Sequence, residues 1–240
     1  MRGLICQIHA ESRGVYGYRR VRAELRLGRQ ISVSRKLVHK LMAEARLKGL
    51  PTRKQRKNPV NAATSEDLAF NRDAPNQLWL TDITEHPTRE GSVYCCVVLD
   101  AHSRRVVGWS IDSHQASSLV TNALQMAISN RTPPAGTVIH SDHRSQFTSW
   151  AFSERVRQAK LVPSMGTVGD AFDNAVIESF WARLQTELLN RKKWKTRVEL
   201  STAVFEYLEI FHNRTRRHSA LGMLTPNEYE TVNNETANAA

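Results

Sequence analysis

Three carboxylates occupy positions where an ordinary hydrophobic core would not place them. Asp82 has the same parity as Leu78 and Leu80 in a predicted strand, so its side chain should face the side that they bury. Asp142 ends another predicted strand, and Glu178 lies inside a predicted long helix. Converging carboxylates repel one another, and a divalent cation between them removes that repulsion. Because carboxylate oxygens are hard ligands, we expect Mg²⁺ at this site, or Mn²⁺ in its place.

Each of these acids, taken singly, also fits an ordinary structural role. Asp82 could cap a turn, Asp142 could lie in an Asx turn, and Glu178 could face solvent. The positions of the acids leave these alternatives open.

A mixed sheet with flanking helices is the pattern that would position the three acids. The predicted strands cover residues 78–84, 93–99, 105–111, 137–140 and 161–162, and the predicted helices cover residues 118–129, 149–160, 174–189 and 198–211. The strand 93–99 is continuously apolar, as a fully buried strand is. The order βββαβαβα predicts an α/β domain. Residues 164–173 contain two glycines and are expected to form a mobile loop.

Positive charge is concentrated in the first quarter of the chain, which has 240 residues and a formal net charge of +11. Residues 1–60 hold 16 Lys or Arg against three acids, whereas the remaining residues hold 18 against 20. A basic segment joined to a slightly acidic body indicates a polyanion-binding module attached to a second domain. A solvated basic face without a partner is the alternative.

Composition argues against a membrane-spanning protein and against a secreted protein. No apolar run approaches the roughly 18 residues that a membrane span requires. The three cysteines form no CxxC pair and no disulfide framework, and the N-terminus has no apolar core of signal-peptide length. We therefore expect a cytoplasmic protein.

Two short helical patterns in the basic segment have the outline of a helix-turn-helix. The first spans Tyr18–Leu27, and Gly28 ends it. The second follows Ser34, a candidate N-cap, and carries its apolar side chains on one side. In such a motif the second helix enters the major groove of DNA. From residue 51 to about residue 75 the periodicity is lost, which predicts a basic linker that could follow a phosphate backbone.

The sequence around the three acids resembles the Asp-Asp-Glu motif of the retroviral-integrase-like transposases, and most closely the second-frame product of the IS-three-type bacterial insertion sequences. The acids lie in the segments Trp79–Thr84, His140–His143 and Asp173–Trp181. Further matches are Tyr16–Arg20, Asp100, Ser103, Arg104, Gly108, Trp109, His212–Arg214, Arg217–His218, Leu221–Gly222 and Thr225–Pro226. The resemblance runs from about residue 9 to residue 230.

The resemblance implies an RNase H-like α/β fold, the integrase catalytic core, preceded by a small helical helix-turn-helix domain. The implied division of the chain is a DNA-binding domain 1–50, a basic linker 51–75, a catalytic domain 76–230 and a polar tail 231–240. It also implies two Mg²⁺ ions in each active site, held by Asp82, Asp142 and Glu178, with Asp82 bridging both. Two metals about 3.5–4 Å apart can stabilise the entering and the leaving oxygen of a displacement at phosphorus.

Two positions depart from the family pattern. The family commonly has Lys or Arg seven residues after the catalytic Glu, whereas this chain has Gln185. Seven residues return to nearly the same helix face, so Gln185 should still reach DNA, but without a charge. The family usually has Gly after the position of His143, and this chain has Arg144. We expect Arg144 to strain the loop beside Asp142 or to crowd the DNA.

Basic and polar side chains near these motifs are the candidates for contact with DNA. They are Arg19, Arg20, Arg35, Lys36, Lys40, Arg53, Lys54, Arg56, Lys57, His143, Gln185, Lys193 and Arg217. Trp194 lies in a basic turn and is either a base-stacking side chain or a half-buried anchor. Trp150 and Trp181 are expected in the core or against the sheet.

The leading hypothesis is a DNA transposase that binds the inverted repeats of its element, acts on target DNA, and forms a homo-oligomer on DNA at the bacterial nucleoid. A catalytically decayed copy that represses at element ends is the alternative, and Arg144 and Gln185 motivate it. A nuclease without sequence preference is less favoured, because a helix-turn-helix would then be superfluous. The family product is commonly a frameshift fusion with an upstream partner protein. We therefore expect this chain to be the downstream part of the active protein, and whether it acts alone stays open.

Overall fold

The predicted order of strands and helices is present in the computed structural model, which describes residues 1–50, 73–165 and 175–238. The strands are β1 (Leu78–Thr88), β2 (Gly91–Asp100), β3 (Val106–Asp112), β4 (Val138–Ser141) and β5 (Val162–Met165). The α-helices are α1 (Arg2–Glu11), α2 (Tyr18–Leu27), α3 (Arg35–Glu44), α4 (Ser117–Arg131), α5 (Trp150–Gln158), α6 (Ala175–Glu187), α7 (Arg197–Glu206) and α8 (Pro226–Asn238). Leu189–Arg191 and Ser219–Leu221 are 3₁₀ turns, and Tyr207–Thr215 is π-helical.

Two helices were not predicted. Helix α1 is short and buries only Ile5 and Ile8, so its apolar periodicity in the sequence is weak. Helix α8 runs through most of the expected polar tail. A capping box starts it: the Thr225 hydroxyl accepts a hydrogen bond from the Glu228 amide at 3.2 Å, and the Glu228 carboxylate accepts one from the Thr225 amide at 2.9 Å.

The chain divides into two compact units. The terminal unit comprises residues 1–57 and 209–240, and the sheet unit comprises residues 58–208. Residues 209–230, which the sequence analysis groups with the catalytic domain, fall in the terminal unit by their contacts. The predicted loop 164–173 contributes its first two residues to β5, and its other residues lie outside the described part of the chain.

The sheet unit contains one five-stranded mixed sheet with the order β3-β2-β1-β4-β5. Strands β1, β2 and β3 pair antiparallel, and β4 runs parallel to both β1 and β5. Side chains of the sheet, including Trp79, Cys96 and Val98, are buried with side chains of α4 and α5. Helix α4 approaches β3 so closely at Gly108 that an added Cβ would lie 2.3 Å from the Ala123 carbonyl oxygen.

In the terminal unit, α1, α2 and α3 pack against one another, and Glu24 of α2 contacts Arg217 of the C-terminal segment. Ser34 caps α3 as predicted, since its hydroxyl accepts a hydrogen bond from the Leu37 amide. The Tyr16 hydroxyl donates to the Thr215 carbonyl oxygen at 2.7 Å. It also accepts from the Arg217 amide at 2.7 Å, so one buried side chain joins the two parts of this unit. No helix within residues 1–50, 73–165 and 175–238 is long and apolar enough to cross a bilayer.

Candidate active site

Parallel pairing of β1 and β4 brings two of the three predicted acids to one end of the sheet. Leu78 pairs with Val138 and Leu80 with His140. The same register, continued by two residues, puts Asp82 level with Asp142. Parallel strands end at the same edge of a sheet, and this is why two acids far apart in sequence become neighbours.

The guanidinium of Arg144 lies against both carboxylates. Its Nε is 2.8 Å from Oδ2 of Asp142, and its Nη1 is 3.7 Å from Oδ1 of Asp82. Nη1 also donates to the Ile83 carbonyl oxygen at 3.0 Å. The backbone amide of Arg144 donates to Oδ1 of Asp142 at 3.2 Å, so the turn after β4 is fixed by the same acid. One cation therefore connects the two acids.

Asp82 is the more enclosed of the two carboxylates. Burial raises the pKa of Asp82 above its ordinary value, and the nearby charge of Asp142 acts in the same direction. The amide of Ile83 and the guanidinium of Arg144 lower that pKa, and so does the indole N–H of Trp181, which donates to Oδ2 at 2.9 Å. Each of these donors stabilises the ionised carboxylate that a metal ligand must be.

Glu178, the third predicted acid, lies on α6. It is exposed, and it lies one turn before Trp181, whose indole touches Asp82. Residues three apart share a helix face, so Glu178 lies on the same face of α6 as Trp181. Within the described ranges no three His, Cys, Asp or Glu side chains are close enough to hold a metal ion. The structure thus brings Asp82 and Asp142 together, and Glu178 does not form a three-carboxylate group with them.

These residues fit a divalent cation of the magnesium type. The donors are carboxylate oxygens, which such cations prefer, and a positive group already lies between two of them. The site thus has the ligand type and the excess of negative charge that a cation requires.

The expected strain at Arg144 is absent. Its φ is not among the positive values found in the described chain, so this position does not require glycine. The expectation of loop strain was therefore wrong. That expectation assumed that the glycine usual in the family marks left-handed backbone at this position. In this chain the backbone there is not left-handed and accepts a side chain.

The polar candidates near the site lie at its surface. His143 is exposed beside Asp142, and Gln185 is half-buried on α6, seven residues after Glu178. Lys193 is exposed in the turn before α7. Arg53, Lys54, Arg56 and Lys57 lie outside the described residues.

The basic candidates of the terminal unit lie on α2 and α3. Arg19, Arg35, Lys36 and Lys40 are exposed, and Arg20 is half-buried with its guanidinium 6.0 Å from the centre of the Tyr16 ring.

A cavity of about 180 Å³ is lined by arginines of α2 and α3. Its lining residues are Arg19, Arg22, Ala23, Arg26, Arg35 and Met223. The sequence analysis overlooked Arg22 and Arg26. Their spacing of three and seven residues from Arg19 puts all three on one helix face, and that signal could have found them.

Arg217, predicted to contact DNA, is buried instead. Its side chain is 3% exposed, with Nε 2.8 Å from Oε2 of Glu24 and Nη1 bonded to Glu228. The basic residues around it in the sequence indicated a surface patch. Its two acidic partners come from α2 and α8, which local sequence does not bring together. The structure thus corrects this prediction, and Arg217 is a core ion pair of the terminal unit.

The tryptophans also differ from their expectations. Trp194 is buried and donates its indole N–H to the Leu189 carbonyl oxygen at 3.0 Å, so it is an anchor and not a base-stacking side chain. Trp150 is 81% exposed at the start of α5 and is not a core residue. Trp181 is buried as expected, but its bond to Asp82 was not foreseen.

Three family descriptions match this chain. Residues 2–55 match an HTH-like domain, and residues 72–171 and 159–226 match two integrase core domain families. The integrase core matches cover the observed mixed sheet with its flanking helices, so the predicted RNase H-like fold is confirmed. The helical N-terminal domain is confirmed by the HTH-like match.

Several curated proteins are similar along most of the chain. The transposase for insertion sequence element IS904 of Lactococcus lactis is 38% identical over 68% of this chain and 65% of its own length. The transposase for IS629 of Shigella sonnei is 34% identical over 94% of this chain and 77% of its own length. Transposase InsF for IS3A of Escherichia coli K12 is 36% identical over 82% of this chain and 71% of its own length.

Proposed function

The chain belongs to the IS-three-type family of insertion-sequence transposases, and from this premise we propose that it cuts and rejoins DNA strands at the ends of an insertion sequence. The catalytic carboxylates are Asp82, Asp142 and Glu178. The observation that carries the proposal is the juxtaposition of Asp82 and Asp142 across one guanidinium, at the ends of two parallel strands.

The three acids would hold Mg²⁺ or Mn²⁺, two ions to a site. Such ions, when bound, stabilise charge on the attacking and the leaving oxygen of a phosphodiester. The chain contributes the rigid part of this arrangement. The Ile83 amide and the Trp181 indole favour the ionised form of Asp82 against the effect of its burial, and β4 sets the position of Asp142.

Water is the nucleophile of the first step. It attacks phosphorus at the element end, the bond to the 3′ oxygen breaks, and a 3′-hydroxyl is released on the element strand. In the second step that hydroxyl attacks a target phosphodiester and displaces another 3′ oxygen. Neither step requires a protein nucleophile, because water supplies the attacking oxygen of the first step and the 3′-hydroxyl of DNA supplies that of the second.

The terminal unit would bind the inverted repeats. Its exposed basic side chains lie on α2 and α3, the two helices of the predicted helix-turn-helix. We assign the arginine-lined cavity to DNA phosphate, since guanidinium groups bind phosphate oxygens in pairs. Lys36, Lys40 and His143 stay candidates for further contacts.

The proposed reaction implies that the chain acts together with other protein copies on DNA. An insertion sequence has two ends, so a homo-oligomer with one protomer at each end would join both to target DNA at the bacterial nucleoid. An upstream-frame partner or fusion, as in the family, would complete this assembly.

A cleavage and joining assay tests the catalytic proposal. A labelled duplex that carries the element end is incubated with the full chain and Mg²⁺, Mn²⁺ or EDTA. We expect metal-dependent nicked and joined products that Asp142→Asn abolishes without loss of DNA binding. Asp112→Asn is the matched control, because this aspartate at the end of β3 lies outside the site, and its activity should equal that of the wild type. Cleavage that survives Asp142→Asn contradicts the site assignment.

The DNA-binding proposal has its own measurement. The logarithm of the binding constant falls with the logarithm of salt concentration by about 0.9 for each phosphate neutralised. Arg26→Gln, in the cavity, should reduce that slope by about 0.9 if its guanidinium binds one phosphate. The full chain is used, because residues 209–238 form part of the same unit as the helix-turn-helix. An unchanged slope removes Arg26 from the interface.

A further inference from the structure

Arg144 pairs with both carboxylates of the acidic site. Its Nε lies 2.8 Å from Asp142, and its Nη1 lies 3.7 Å from Asp82 and 3.0 Å from the Ile83 carbonyl oxygen. Its side chain is 45% exposed, so one side of the guanidinium faces solvent. A group held by two acids and open to water can leave the site without disturbing the core.

We propose that Arg144 is an internal competitor of the divalent cation, which sets the metal concentration at which the site is filled. This inference rests on the proposed function, because it takes Asp82 and Asp142 as metal ligands. Both the guanidinium and a metal ion need oxygens of the same two carboxylates. Binding of the ion therefore requires the side chain of Arg144 to turn out toward solvent.

The guanidinium of Arg144 and a divalent ion compete because both are positive and both bind the same carboxylates. A divalent ion beside an undisplaced guanidinium would meet a like charge within a few ångströms, and this repulsion is strong where water is partly excluded. The Arg144 amide bond to Asp142 belongs to the backbone and survives when the side chain moves. The turn therefore keeps its shape in either state, and only the guanidinium exchanges with the ion.

The test measures metal binding directly. Mn²⁺ is titrated into the full chain by isothermal calorimetry, with the wild type, Arg144→Ala and Arg157→Ala compared. Arg157 is the matched control, since it is an exposed arginine that pairs with Glu154 on α5, away from the site. Removing a partly exposed ion pair with two acids should lower the Mn²⁺ dissociation constant about tenfold in Arg144→Ala. Arg157→Ala should bind Mn²⁺ as the wild type does.

A second readout uses the wild-type protein and does not depend on a variant. Nε of Arg144 lies 2.8 Å from Oδ2 of Asp142, so its proton should exchange slowly with water and give a protected signal in a ¹H–¹⁵N spectrum. Saturating Mg²⁺ should broaden or shift this signal to the position of a solvent-exposed arginine. A signal that stays unchanged while Mg²⁺ binds overturns the competition.

Asp82→Asn tests the proposed metal site, and Arg144→Ala tests competition at that site. Asp82→Asn should lose Mn²⁺ binding in either case. If it does, and Arg144→Ala binds Mn²⁺ within twofold of the wild type, Arg144 is no competitor and the metal site stands. If Asp82→Asn binds Mn²⁺ as tightly as the wild type, the proposed metal site itself is wrong, and the inference falls with it.

Discussion

Replacement of Arg217 by methionine separates a structural role from a DNA contact. The guanidinium is buried and pairs with Glu24, which is 19% exposed, and with Glu228, which is 41% exposed. Loss of a partner from a buried pair costs about 3–5 kcal/mol, and a more exposed pair contributes about 1 kcal/mol or less. Because Glu24 keeps some access to water, we expect the terminal unit to lose about 3 kcal/mol of unfolding free energy, near the lower end of that range.

Amide hydrogen exchange in α2 measures this loss, because Glu24 lies on that helix. A change of about 3 kcal/mol corresponds to exchange that is roughly a hundredfold faster. Tryptophan fluorescence would not detect it, since every tryptophan of the chain belongs to the sheet unit. Arg19→Met is the matched control. It removes the same charge from an exposed position on α2, and its exchange should equal that of the wild type.

DNA binding gives the opposite ranking of the two variants. Arg19→Met should reduce the salt slope by about 0.9, as expected for one lost phosphate contact, whereas Arg217→Met should leave the slope unchanged. The reasoning is refuted if Arg217→Met keeps its α2 protection within threefold of the wild type and loses the phosphate contact.

Three further predictions test packing, titration and the acidic site. Gly108→Ala should lower the unfolding free energy of the sheet unit by about 3 kcal/mol, because an added Cβ would lie 2.3 Å from the Ala123 carbonyl oxygen. Urea unfolding monitored by tryptophan fluorescence measures this, and an unchanged midpoint contradicts it. Burial raises the pKa of Tyr16 to about 12, above its ordinary 10.0, so the folded terminal unit retains a proton that the unfolded chain releases above pH 10. Its helical stability, measured by thermal unfolding with circular dichroism, should therefore be complete below pH 10 and fall toward pH 12, and Tyr16→Phe should lack this fall. Trp181→Phe removes the indole donor to Asp82 and should raise the pKa of that carboxyl further, as a ¹³C titration of its resonance would show. Strand transfer at neutral pH should then be slower. If the pKa of Asp82 equals that of the wild type, Trp181 does not belong to the site.

Local patterns predicted most elements of the fold. Helix α2 has the bounds that were expected, and Ser34 caps α3, because periodicity and capping depend on residues within a turn of one another. The apolar run 93–99 became the buried strand β2 for the same reason. Helix α8 was missed although its capping box, Thr225 and Glu228, is present in the sequence. Its polar composition outweighed that local signal.

Local patterns could not predict contacts between residues that are far apart in the sequence. Tyr16 and Thr215 are 199 positions apart, and their hydrogen bond joins the C-terminal segment to the N-terminal helices. Nothing within either segment specifies the other as its partner. Arg217 was therefore interpreted from its basic neighbours as a surface residue, and only its partners from α2 and α8 show that it is internal.

The sequence by itself determined the residue types of the acidic site and the family to which the chain belongs, because a motif is a property of spacing along the chain. Only the tertiary structure decided how those residues meet. The parallel register of β1 and β4 places Asp82 beside Asp142, α6 brings the Trp181 indole to Asp82, and Arg144 lies across both carboxylates. These contacts depend on packing between elements, and they set the charge balance of the acidic site.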